Sequence, residues 1–236
     1  MHNVKLRHFN RRGRGAVWRL KQMVNPCFGS TFWLTLLLFS ACQPAGSPAH
    51  PSGKAAAKVK PTVLLQPFNE TDAAAISFLQ KHLADSLHVE VKILPAKLLP
   101  ANSWYAARKR YWADSILQML KKMAPPNAKV LGVTGCDIAT RNARHTNWGV
   151  MGLGFLPGNA AVVSTYRLHR DGLTVAQLQQ RLLKVALHEL GHNFGLPHCA
   201  NAHCLMADAE GKDKLNELDA FCQSCRAKLP QSVAER

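Results

Sequence analysis

The segment Val185-Ala-Leu-His-Glu-Leu-Gly-His-Asn-Phe-Gly-Leu-Pro-His198 concentrates groups that do chemistry. His188 and His192 stand four residues apart, so on a helix of 3.6 residues per turn both imidazoles share one face. Gly195 can take the left-handed conformation that ends a helix and turns the chain back. The return brings in a third imidazole, His198. Three imidazoles converging on one point form the donor set of a zinc ion that keeps a fourth position open. Glu189, one residue from a ligand, should reach that open position. There it would accept a proton from water made acidic by the metal and pass it to a leaving amine. A bare His-Glu-x-x-His arises by chance; the extended form with Gly195 and His198 is far more specific.

Sulfur chemistry follows at once. Cys199 is succeeded by Cys204 and Met206, and further on by Cys222-Gln-Ser-Cys225. Each short spacing lets one loop present two sulfurs, so the four thiolates can hold a structural zinc tetrahedrally. The same pairs can instead close disulfides, Cys199 with Cys204 and Cys222 with Cys225, which an oxidising compartment would favour. Cys222-Gln-Ser-Cys225 lacks the aromatic and cis-proline context of a redox-active pair.

The histidine spacing matches the metzincin signature. With the cysteines added, the chain resembles the archaemetzincin (archaelysin) family, which joins that motif to a four-cysteine zinc site beginning one residue past the third histidine. Similar segments recur upstream in the right order: Arg110-Tyr111, Val130-Leu-Gly-Val-Thr-Gly-Cys-Asp137, Asn147-Trp-Gly-Val-Met-Gly152, Ala161-Val-Val-Ser-Thr-Tyr-Arg-Leu168 and Arg181-Leu-Leu-Lys184. The resemblance spans residues 61–229. It implies a zinc-dependent metallopeptidase with catalytic zinc on His188, His192 and His198, and Glu189 as general base. It further implies Met206 in a tight turn beneath the metal and a second, structural zinc on Cys199, Cys204, Cys222 and Cys225. An extended peptide substrate would pair with the lowest strand of the sheet; residues 160–166 are the candidate, and the sequence alone suits a rim strand and a buried core strand equally. The interval from Met206 to Cys222 is shorter than the family's usual one, as a loop deletion would make it. Cys136 has no counterpart in the resemblance and reads as a buried free thiol. Two other functions could use the same residues: hydrolysis of a non-protein amide, and zinc binding by a lipoprotein without turnover. Glu189 speaks against the latter, since a pure binder needs no base.

The elements that must position these groups follow from periodicity. Apolar runs predict strands at residues 61–68, 89–94, 129–133 and 160–168. Helices are expected from Thr71 or Asp72 to Leu87, over 104–123 where Pro125-Pro126 stops it, and over 174–193 for the active helix. One more helix is expected over 213–228. Alternating strands and helices imply an α+β, metzincin-like fold. It would have a small twisted mixed sheet, backing helices, an active-site helix, and a smaller C-terminal lobe holding the structural zinc. The catalytic domain is set at residues 61–236, its upper lobe about 61–195 and its lower lobe about 196–230.

The first 42 residues differ in kind. Seven basic side chains and no acidic one precede the apolar run Phe32-Trp-Leu-Thr-Leu-Leu-Leu-Phe39 and then Ser40-Ala41-Cys42. That order describes a secretory signal whose end resembles a lipobox, with Cys42 the residue to be lipidated; the alternatives are an ordinary signal peptide with an incidental cysteine and an uncleaved anchor. Residues 43–60, rich in Pro, Ala, Gly, Ser and Lys, read as a flexible tether. The protein is therefore expected as an exported lipoprotein, anchored in a bacterial membrane and facing the periplasm or cell surface. The whole chain carries 30 Lys and Arg against 14 Asp and Glu. Loss of the leader would leave a net charge near +9, basic enough to attract acidic partners. Nothing resembles a nucleic-acid motif, and no nucleic-acid partner is expected. The partners are peptide or protein substrates, met by a monomer.

Overall fold

The computed structural model describes residues 60–234 apart from 144 and 210. The leader, its Cys42 and all but the last residue of the tether lie outside the described residues. In chain order the elements are β1 (Thr62–Pro67), α1 (Ala73–Leu87), β2 (Glu90–Ile93), β3 (Trp104–Tyr105), β4 (Arg110–Trp112), α2 (Ala113–Met123), β5 (Ala128–Thr134), β6 (Ile138–Thr140), β7 (Trp148–Val150), β8 (Gly152–Gly154), β9 (Ala160–Ser164), α3 (Val175–Asn193), α4 (Gln223–Arg226) and α5 (Gln231–Ala234).

Five strands form the principal sheet in the order β2-β1-β5-β9-β8, all parallel except β8, which runs antiparallel to β9. Strand side chains alternate between two faces. On β9, Ala161 and Val163 join an apolar cluster with α1 and α3, while Ala160 and Val162 join a second cluster with α2. A strand buried on both faces has no polar alternation, which is why 160–164 reads as a continuous apolar run. Four short strands make a second sheet, β3-β4-β6-β7. Among the described residues no helix is long and apolar enough to cross a membrane.

Three expectations need correction. The helix expected over 104–123 starts only at Ala113. Residues 104–112 instead form the antiparallel pair β3–β4, with Trp104 packed on Tyr111 at 4.9 Å between ring centres and Lys109 reversing the chain at φ 51°. Aromatic side chains suit a pleated surface better than a helix. The helix expected over 213–228 is reduced to the single turn α4. Residues 203–205 and 219–220 run side by side, with Leu205 N donating to Ala220 O and Asp219 N to His203 O, both at 3.0 Å. Lastly, the strand proposed to meet substrate, 160–166, is internal. β9 lies fully buried between β5 and β8, a 3₁₀ segment Tyr166–Leu168 follows it, and the edge on that side of the sheet is β8.

Candidate active site

Helix α3 is fixed at both ends. Thr174 Oγ1 accepts from Gln177 N at 3.2 Å while Gln177 Oε1 accepts from Thr174 N at 2.9 Å, a reciprocal cap that satisfies two otherwise orphaned donors. At the other end Gly195, at φ +94°, lets its own N–H reach His192 O and that of Leu196 reach Gly191 O, each at 2.9 Å. The chain then returns to present His198. One ring nitrogen of each of His188, His192 and His198 lies within 4.8 Å of the others. His188 Nδ1 donates to Leu205 O at 2.6 Å and His192 Nδ1 to Leu196 O at 2.8 Å. Those bonds leave Nε2 as the electron-pair donor of each ring. His198 Nδ1 lies 3.4 Å from the Asp208 carboxylate. Burial pulls His188 down to about 4 and lowers His192 as well, so both stay neutral near pH 7 with a lone pair available.

Glu189 is buried on the adjacent stripe of α3, against β8. A Cβ at Gly152 would fall 2.6 Å from Glu189 Oε1, and one at Gly154 would fall 2.9 Å from the Glu189 carbonyl. Two glycines thus create the space the carboxylate occupies. Burial pushes Glu189 up to about 8. Asn193 holds the same helix to the β8–β9 hairpin, its Nδ2 donating to Phe155 O and Ala160 O at 2.9 Å. Met206 is fully buried. A Cβ at Gly191 would come within 2.5 Å of its sulfur, so the thioether lies against the helix between the two histidines.

The four C-terminal cysteines also converge. Their sulfurs lie within 4.8 Å of one another, all as free thiols, and Cys199 Sγ is 3.8 Å from Cys222 Sγ. A disulfide needs about 2.05 Å; thiolates at about 2.3 Å from a common tetrahedral zinc stand about 3.8 Å apart. The donor set fits a zinc ion. Cys204 Sγ accepts from Met206 N and Cys222 N, each at 3.4 Å. The Ser224 hydroxyl pulls Cys222 down to about 6, while burial raises Cys204 and Cys225. These thiols cannot all ionise together without a cation. The sequence-predicted groups are therefore brought into two adjacent clusters, with His198 in one and Cys199 in the other.

A cavity of about 730 Å³ opens over the histidines, walled by β7 and β8, by α3 and by residues 207–218. A search of family models matches peptidase family M54 over residues 80–231. The archaemetzincin of Archaeoglobus fulgidus is 32% identical over 168 residues, covering 71% of this chain and 98% of that one. That of Methanopyrus kandleri is 31% identical over 166 residues, covering 68% and 89%. The chain belongs to peptidase family M54, the archaemetzincins. The crystal structure of the A. fulgidus archaemetzincin, in complex with malonate, superposes with a TM-score of 0.62 at 31% identity, covering 71% of this chain and 99% of that one. The M. kandleri archaemetzincin gives 0.61 at 28%, covering 70% and 90%. As an archaemetzincin the protein is a zinc-dependent metallopeptidase, and the three-imidazole cluster has the donor chemistry that activity needs.

Other residues of this archaemetzincin site escape a reading of the sequence. Gly152 and Gly154, which make room for Glu189, sit in a three-residue strand with no periodic signal. Asp137, buried between Arg110 and Arg167, accepts from Arg167 Nε at 2.7 Å and forms an ion pair with the Arg110 guanidinium, also at 2.7 Å. Arg167 lies over Gly149, where any side chain would collide with its guanidinium. The segments containing these residues were visible as family-like stretches, but charge pairs across tens of residues leave no local pattern.

Proposed function

We propose that this archaemetzincin cleaves peptide bonds with Glu189 as general base, holding catalytic zinc on His188, His192 and His198 and structural zinc on Cys199, Cys204, Cys222 and Cys225. One observation carries the catalytic assignment: a buried carboxylate lines the same cavity as three imidazoles whose donor atoms converge within 4.8 Å. Zinc in that position supplies a Lewis acid that polarises a carbonyl and makes water a stronger acid. In its ionised form Glu189 takes the proton of the attacking water and returns it to the leaving amine. Leu205 O and Leu196 O hold the rings of His188 and His192 in register, and Met206 gives them an apolar floor. The backbone of β8 pairs with β9 along one edge only, and its residues border the cavity. An extended peptide can add there as a further strand, which makes peptides the natural substrate class.

The leader, with its basic run, apolar stretch and Cys42, supports a lipid-anchored enzyme acting outside the bacterial cytoplasm. Glu189→Gln tests the mechanism. The variant should bind zinc as the parent does and lose kcat/KM on a cleaved peptide by about 100-fold or more. Parental turnover in the variant would remove Glu189 from the reaction.

A further inference from the structure

Lys184, His188 and His192 follow at intervals of four along α3 and so line one face of it. Lys184 lies one turn before His188, about 6 Å along the axis. The cavity wall runs that way from the imidazoles over the buried side chains of Val185, Leu215 and Leu218. Arg167 and Arg170 join Lys184 in the wall. Their counter-charges are shared. Asp137 serves Arg167 and Arg110, and Asp213 serves Arg170, at 2.9 Å, together with Arg181. Lys184 Nζ donates to Leu215 O at 2.9 Å, a neutral partner. One carboxylate between two guanidiniums leaves a unit of positive charge in each group, and Lys184 adds another. Asp208, the other described aspartate of the wall, stands by His198 on the metal side, and Lys212 is a further cation. Apolar walls weaken the solvent screening of this field.

We infer that this end of the cavity binds a carboxylate of the substrate, so that the residue following the cleaved bond is acidic or is the chain terminus, with Lys184, Arg167 and Arg170 selecting it. The inference rests on the peptidase reading above and names the substrate class of that site. A carboxylate reaching these groups forms charge-assisted hydrogen bonds, and a neutral amide of equal shape forgoes them.

Matched peptides carrying Glu or Gln after the scissile bond provide the test. They are compared by kcat/KM on the zinc-loaded protein and, without turnover, by fluorescence anisotropy on its Glu189→Gln variant. The Glu peptide should be favoured about tenfold in both, about 1.4 kcal/mol. Lys184→Met should bring the ratio to about threefold or less, and Lys184→Arg should keep it. Equal handling by the parent both of Glu against Gln and of free acid against amide, or a preference untouched in Lys184→Met, overturns the subsite. Tighter binding of the Glu peptide without cleavage of any peptide would sink the peptidase mechanism and leave the subsite standing. A peptide that ends at that residue, as free acid against amide, separates the sources. A gain confined to the free acid assigns the subsite to a chain terminus, and a gain for internal Glu assigns it to a side chain.

Discussion

Glu189 gains its basicity from crowding. The helix and the glycine strand exclude water from its carboxyl, and the absence of a Cβ at Gly152 is what lets it fit. Gly152→Ala should therefore displace the carboxylate and lower kcat about tenfold or more, with zinc content unchanged. A parental kcat in that variant would show that the close approach is immaterial. The same burial has a thermodynamic signature in the chelated protein. Glu189 moves from 4.5 to about 8 on folding, so the fold favours its neutral form. That contribution is complete below pH 4.5 and is lost as pH rises to 8. Glu189→Gln carries no such charge. Its urea stability relative to the parent should thus increase from pH 4.5 to 8, by on the order of 4 kcal/mol. Parallel pH profiles for the two chelated proteins would refute the assignment.

Among the elements, α3 was the most legible in the sequence and β6 to β8 the least. The capping pair Thr174 and Gln177, the apolar spacing and Gly195 all lie within one stretch, so local rules delimit α3 and face two histidines the same way. β8 contains two glycines in three residues, and its place is decided by pairing with β9 and by Glu189 from a helix far along the chain. No period survives in so short a strand. The mistaken helix over 104–112 has a related origin: its charged and aromatic residues fit a helical pattern until the ring contacts across β3–β4 are known. Because the cap of α3 is local, its removal should be mild. Thr174→Ala is expected to reduce stability by about 1 kcal/mol, seen as a lower urea midpoint, while kcat stays near the parental value. A loss of activity with unchanged stability would mean that Thr174 acts on the site itself.

Among the described residues one apolar cluster runs from β1 and α1 through α3 to Leu196, Leu205, Met206, Leu218, Phe221 and Val233. Beyond Gly195, however, the regular elements among the described residues are two four-residue helices. So short a set of helices cannot hold its own geometry, and the four thiols are well placed to substitute for it. Cys222→Ser should reduce bound zinc from two ions per chain to one and lower the thermal midpoint by about 10 °C, the shift roughly 3 kcal/mol produces in a domain of this size. A parent binding one zinc, or a variant melting with it, would rule out the second ion's structural role. His198 and Cys199 are consecutive, and the carbonyl that orients His188 belongs to Leu205, between Cys204 and Met206. One stretch of backbone therefore answers to both clusters. If a metal filling one cluster steadies that stretch for the other, linkage makes the effect reciprocal: whatever affinity the thiolates would lend the imidazoles, the imidazoles would return in full.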